Sequence, residues 1–325
     1  MSDQPWVSGG ASLPDPHARQ STVLTADGFT LGVAEYGPTD GFPVVSIHGT
    51  PASRLGGPPP GQPDLYERLG IRSITFDRPG YGLSTRRPGR IVADAADDVA
   101  AITDVLGLDQ FAVTGGSGGG PHCLAVATLL PERVTRVACV VGVAPLGDGG
   151  VPQDEWISGM TQGNVDEFTW SVQGEEVLRP QLERLAAADL ERLALDATDP
   201  FGETYELSES DRGIMARPEY AIRLRRLMEE AYRGGVDGWV DDDLAFTRDW
   251  GFNLSDLTTA AMVWYGTDDT LVPPAHGRWL ARHVPGALVV AMSGGHLELV
   301  NRAKDVLIWL SGGDAPEDAV VGIES

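Results

Sequence analysis

The chain has 325 residues, 42% hydrophobic and 22% charged, a globular composition with enough apolar material for a real core. That length fits one large domain, or one carrying a sizeable insertion, and excludes collagen-like, coiled-coil and wholly disordered chains. Charge is the unusual quantity: 24 basic residues face 47 acidic ones, net -23, which repels phosphate backbones and anionic surfaces and argues against nucleic acid and membrane partners.

No stretch approaches the roughly 18 unbroken apolar residues of a membrane span. Residues 1–20 are polar and rich in Pro and Gly, without the basic-then-apolar order of a signal peptide. Cys123 and Cys139 lie in apolar runs and make neither a disulfide framework nor a metal site. They read as small buried hydrophobes in a protein of the reducing cytoplasm.

In chain order, residues 21–25 and 31–36 flank Ala26-Asp27-Gly28-Phe29, a turn signal, and predict an antiparallel hairpin. Short apolar runs follow at 43–47, 71–76, 111–114 and 136–141, each suited to a strand buried on both faces. Helical candidates at 64–69, 93–106 and 121–130 separate them. The second carries Val99, Ile102, Val105 and Leu106 as an apolar stripe with acids opposite. Such alternation predicts an α/β fold, a mostly parallel sheet with helices on both sides. It stops near Val143 and resumes at 260–265, continuing through a strand at 287–292 to a last helix at 297–310.

The interruption has helical periodicity, clearest at 179–195 and 220–232. Residues 147–258 hold 25 acidic residues and ten Arg, so a third of the length carries most of the net charge. We read it as a helical cap with one well-solvated face, inserted into a core formed by 21–146 and 259–312. Residues 1–20 and 313–325 read as mobile tails. Asp241-Asp242-Asp243 in the cap reads as a solvated helix start, because consecutive helical residues point apart and no His or Cys is near to complete a metal site. Trp156, Phe168, Trp170, Phe201, Trp239 and Trp250 could line a pocket beneath the cap or simply seat it.

The strongest chemical signal is Gly115-Gly116-Ser117-Gly118-Gly119, a G-x-S-x-G run placed between a predicted strand and a predicted helix. A serine there sits on a strained strand-to-helix turn with its hydroxyl above the sheet edge, and Gly115 and Gly119 let strand and helix approach. A phosphate loop is the competing reading, but no G-x-x-x-x-G-K-[ST] occurs, and Lys304, the sole Lys, is far away.

A serine nucleophile needs a base, and six histidines are available. His17 lies in the tail, His276 and His283 are expected to face solvent, His122 to pack behind the serine, and His48 to stabilise a turn. His296, just past the last strand in Ser293-Gly294-Gly295-His296, is the candidate base, on a loop expected to be flexible. Its orienting carboxylate is sought in Thr267-Asp268-Asp269-Thr270-Leu271-Val272-Pro273. Asp269, 27 residues before His296, is preferred, and Asp268 is left as a turn residue. For the oxyanion, the backbone N–H groups of Gly118 and of Thr50, in His48-Gly49-Thr50-Pro51, are the candidate donors.

These features together resemble the α/β-hydrolase fold with a helical cap. His48-Gly49-Thr50-Pro51, Asp77-Arg78-Pro79-Gly80-Tyr81-Gly82-Leu83-Ser84, the serine turn, Asp269 and His296 stand in family order. The resemblance implies no catalytic role for the 77–84 stretch, which shapes the floor beside the oxyanion loop. Ser117 departs from epoxide hydrolases and haloalkane dehalogenases, which use Asp there, and from dienelactone-hydrolase-like enzymes, which use Cys. Leu297 replaces the Lys that follows the histidine of hydroxynitrile lyases, and the Trp and H-G-G-P-G of proline iminopeptidases are absent.

The implied function is a cofactor-free, metal-free serine hydrolase for a small or medium uncharged ester, lactone or related acyl compound. C–C bond hydrolysis or perhydrolysis by the same residues, and a ligand-binding descendant with little turnover, are the alternatives. Oligomeric state is not indicated.

Overall fold

The computed structural model describes residue 15 and residues 17–147, 149–194 and 206–322. Among these, nine strands form one sheet in the order β1-β2-β4-β3-β5-β6-β7-β8-β9. They are β1 (Arg19–Leu24), β2 (Thr30–Tyr36), β3 (Phe42–Ile47), β4 (Ile71–Phe76), β5 (Phe111–Gly116), β6 (Val134–Val140), β7 (Ala260–Gly266), β8 (Leu288–Met292) and β9 (Val320–Val321). Strands β3 to β8 run parallel to one another, while β1, β2 and β9 pair antiparallel.

Parallel strands must bury both faces, and the alternation of side chains divides these strands between two cores. Val45, Ile74, Val113, Val137 and Val263 face one way. They meet Val99 and Ile102 of α2 (Ala95–Val105), Leu124 of α3 (Gly119–Leu129) and Leu280 of α10 (Pro274–His283). Val44, Ala112, Ala138, Met262 and Val290 face the other way. They meet Leu65 of α1 (Leu65–Leu69) and Leu307 and Leu310 of α11 (Leu299–Leu310). Cys123 and Cys139 are free thiols buried in the first core.

Strand order reverses at β3, which has β4 on one side and β5 on the other. The crevice beyond the carboxyl ends of two such strands is where open α/β sheets bind ligands. Both the His48-Gly49-Thr50 loop and Ser117 emerge there.

Between β6 and β7 lie α4 (Gln153–Trp156), α5 (Gln162–Gln173), α6 (Glu175–Ala194), α7 (Glu209–Met215), α8 (Pro218–Ala231) and α9 (Asp237–Phe246). Leu178, Leu182, Ile214, Leu224, Met228 and Trp239 make a third core of their own. Tyr81 and Val300, from outside this stretch, join it. Gly238 opens the seat for Tyr81, because a Cβ at that position would come 2.4 Å from the Tyr81 ring. Phe201 lies outside the described residues.

The described residues at the inner edges of both expected tails join the fold. Residues 320–321 add β9 to the sheet edge, and Arg302 holds Asp318 through two 2.9 Å hydrogen bonds. At the other end β1 begins at Arg19, and Asp15 is buried, receiving a hydrogen bond from the Tyr36 hydroxyl and an ion pair from Arg226. Polar composition suggested freedom in both places. Edge-strand pairing and ion pairs with distant residues supply order that composition cannot reveal. Among the described residues no helix is long and apolar enough to cross a membrane.

Candidate active site

Ser117 leaves β5 and opens α3 with φ of 54°, a left-handed conformation that a side chain adopts only under constraint. The constraint is visible on all sides. The Ser117 N–H donates to the Val140 carbonyl (2.9 Å) and its own carbonyl accepts from Gly120 N–H (2.9 Å). A Cβ on Gly115 would lie 2.0 Å from the Gly119 carbonyl oxygen, and one on Gly119 would lie 2.4 Å from that of Ile47. Glycine at both positions is therefore what lets the turn close.

His296 follows β8 in a single helical turn and is 8% exposed. Its Nδ1 lies 2.8 Å from Asp269 Oδ2, and Asp269 Oδ1 accepts the N–H groups of Leu271 and Val272, both at 2.9 Å. Asp269 is thereby fixed on its own loop before it meets the imidazole. Asp268, beside it, is exposed, and its N–H bonds Gly294, which suits a turn residue.

The His296 loop is not the flexible one its glycines suggested. The cap pins it: Asp211, fully buried in α7, accepts His296 N–H (2.9 Å) and Leu297 N–H (2.7 Å), and Ser210 Oγ accepts Gly295 N–H (2.8 Å). A Cβ on Gly295 would meet Asp211 at 2.1 Å, so that glycine serves close approach. Burial penalises a charged imidazole, but the negative charges of Asp269 and Asp211 outweigh it and raise the His296 pKa above its ordinary value.

The loop after β3 carries Thr50 opposite Gly118, where a Cβ would strike Thr50 Oγ1 at 2.3 Å. The Gly118 N–H belongs to the first turn of α3, where backbone donors lack intrahelical acceptors. The Thr50–Pro51 peptide is cis. Arg78 braces this loop from below, its guanidinium donating to the carbonyls of His48 and Gly49 and to Thr50 Oγ1.

Asp242 holds the brace in turn. It accepts Thr50 Oγ1 (2.6 Å), Tyr81 Oη (2.8 Å) and Arg90 Nη2 (2.6 Å), and it pairs with Arg78. Burial alone would raise its pKa, but Arg78 and Arg90 hold it well below the usual carboxylate range. The 241–243 run is therefore not a solvated helix start: all three aspartates are buried within α9. Arg78 and Arg90, far away in sequence, supply the cations that make burial of Asp242 tolerable.

His276 is likewise buried rather than exposed, with Nε2 2.8 Å from the Trp156 carbonyl. Burial depresses the pKa of His276 and of His122, each to about 4, so both remain neutral packing groups. His48 accepts Arg78 N–H at Nε2 and lies 2.7 Å from Gly49 O through Nδ1, the turn role expected of it.

Two cavities meet at Ser117 and His296, which line both. One, about 280 Å3, runs under the β3 loop and α11 and is largely apolar. The other, about 210 Å3, runs beneath α5 and α9 and includes Thr50 and Gly118. Of the cap aromatics, Phe168 and Trp239 line the second cavity. Trp156 instead packs edge-on against Phe168, Trp250 stacks on Phe252, and Trp170 borders the cap core.

Sequence reasoning missed Asp211, Asp242 and the bracing role of Arg78. The partners of Asp211 and Asp242 are more than 80 residues away, the groups Arg78 braces are 28 to 30 away, and no local spacing announces any of them. The one available signal was the long acidic run itself, which was read as solvated.

Comparison with known proteins agrees with this architecture. The chain is 29% identical over 257 residues to a non-heme chloroperoxidase of Streptomyces lividans, covering 78% of this chain and 84% of that protein. It is 28% identical over 286 residues to a 2-hydroxymuconate semialdehyde hydrolase of Pseudomonas putida, covering 86% and 89%. Among solved structures it superposes on an alpha/beta hydrolase fold protein from Nakamurella multipartita with a TM-score of 0.59 and 25% identity, covering 91% of this chain and all of that one. Residues 43–302 match the alpha/beta hydrolase fold family, and the chain belongs to it.

Proposed function

We propose that the protein is a serine hydrolase that cleaves a small or medium ester, lactone or related acyl compound through an acyl-enzyme on Ser117. The observation that carries this is the 2.8 Å contact between His296 Nδ1 and Asp269, at a histidine lining both cavities that Ser117 lines. Asp269 accepts from Nδ1–H, which leaves Nε2 unprotonated to take the serine proton. Ser117 Oγ attacks the carbonyl carbon while its proton passes to His296. The N–H groups of Thr50 and Gly118 receive the oxyanion, aided by the positive end of the α3 dipole. His296 returns the proton to the leaving oxygen, and water releases the acyl group by the same route. Residues 147–258 act as the cap that shapes both cavities.

A fluorophosphonate probe should label the purified protein at Ser117, and a panel of short-chain aryl esters should be turned over. The absence of both labelling and turnover would refute the reading. Relatives named as a chloroperoxidase and a semialdehyde hydrolase make two further reactions worth the same test. Product analysis with peroxide present, and with a C–C bonded substrate, separates perhydrolysis and C–C cleavage from ester hydrolysis. Rapid labelling without turnover of any substrate would mark a binding protein instead.

A further inference from the structure

The wall of the second cavity facing Ser117 carries two carboxyl groups, Glu167 from α5 and Asp243 from α9. Asp243 is completely buried, and apart from the neighbouring Glu167 carboxyl neither of its oxygens meets a hydrogen-bond partner among the described residues. Glu167 is 6% exposed and accepts a 2.9 Å hydrogen bond from Trp239 Nε1. Among the described residues no Arg or Lys lines this cavity. Arg78 and Arg90, which brace the neighbouring Asp242, are already paired with it.

Two carboxyls in hydrogen-bond contact and this dry resist double ionisation, which favours one shared proton and a single negative charge on the pair. Burial pushes Glu167 up to about 7, and burial together with the Glu167 charge pushes Asp243 well above the usual range. Buried carboxyl oxygens without donors are costly, and folded proteins keep them where a ligand will satisfy them. The first cavity offers no such group; its lining is mainly apolar around Ser117, with Arg223 at one side.

We infer that Glu167 and Asp243 form a recognition site for a protonated primary amine on the substrate, so that one end of the substrate enters the apolar cavity and the amine-bearing end enters the other. This rests on the hydrolase reading only for the reaction that the recognition serves. It replaces the uncharged substrate expected from sequence with one carrying a positive end. The ammonium supplies three donors and one positive charge, matching the acceptor positions that the pair and Trp239 leave over and the residual negative charge together. A hydroxyl would satisfy an acceptor but leave the charge.

The test separates binding from chemistry. In Ser117→Ala protein, calorimetric titration with butylamine, pentylamine and hexylamine at pH 7.5 should give affinities at least about tenfold tighter than the alcohols of equal length. Glu167→Gln and Asp243→Asn, each checked for folding by circular dichroism, should erase that margin. In the enzyme with Ser117 intact, kcat/KM for esters bearing a terminal amine should exceed that of their methyl-terminated counterparts, whether the amine sits on the acyl or the alcohol side.

Equal affinity for amine and alcohol, binding of neither, or a margin that persists in both variants overturns the inference. Amine binding without turnover of any ester would instead defeat the hydrolase reading and leave the amine site standing. Turnover with no preference for the amine would do the reverse.

Discussion

The sheet and the cap contribute opposite chemistry to the same region of the molecule. Loops at the carboxyl ends of β3, β5, β7 and β8 bring backbone amides, a hydroxyl, an imidazole and the single carboxylate of Asp269. The cap brings carboxylates. Glu167, Asp189, Asp211, Glu230 and the whole 241–243 run are buried, although the segment's acidity first suggested a solvated surface. Each ties to something different: Asp211 to the amides of the His296 loop, Asp242 to Arg78 and Arg90, Asp241 to Arg86, Glu230 to Arg54, Asp189 to Tyr232, and Glu167 to Asp243. The contrast teaches that a dense run of acids can be an anchoring device, in which the cap holds the His296 and Thr50 loops as well as covering them.

Four experiments would break or sharpen that contrast. The largest effect belongs to the sheet side. Ser117→Ala should reduce turnover of any accepted ester by up to about a million-fold, on the scale of other serine nucleophile deletions. Substantial residual turnover in the purified variant would remove the serine from the chemistry.

Next comes the cap's main anchor. Asp242→Asn leaves Arg78 and Arg90 buried without their counter-charge and should destabilise the fold by about 3–5 kcal/mol. Denaturant titration measures this, and a loss below about 1 kcal/mol would show that the cap is not anchored there.

Asp211→Asn should act on rate more than on stability. It should lower kcat/KM by about ten- to a hundredfold, because a slightly displaced imidazole is expensive. It also has a pH signature. Imidazolium cannot accept the serine proton, so activity falls as pH drops through the His296 pKa. Although burial opposes the charged form, Asp269 and Asp211 carry the shift upward, and the acid limb should lie above the ordinary 6.5. Removing the Asp211 charge should move that limb to lower pH. A rate loss with an unmoved limb would make Asp211 merely structural.

The smallest effect is the control. Asp154 belongs to the same acidic segment but is exposed, and Asp154→Asn should change stability by no more than about 0.5 kcal/mol. A larger change would mean that acidity as such, rather than burial and pairing, sets the cap's energetics.

Much of this molecule was legible in one dimension. The hairpin of β1 and β2, the parallel strands and α2 follow from short-range periodicity, because a buried strand or a helix writes its environment into its neighbours two to four residues away. Ser117 was readable because its glycines and the flanking strand and helix are contiguous, and Asp269 and His296 because each closes a strand in a recognisable order. His276 was misjudged, since its helix carries basic residues while its ring turns inward to a carbonyl 120 residues away.

What sequence alone determined is thus the layered α/β architecture and the strand ends from which the candidate residues Ser117, Asp269 and His296 emerge, since each depends on local pattern or on backbone geometry within one turn. Which acids of the cap are exposed and which are paired inside was decided only by tertiary structure. A carboxylate's burial depends on whether a cation, a backbone amide or a second carboxyl meets it in space, and Arg78, Arg90 and the His296 amide reach theirs across 85 to 164 residues of chain.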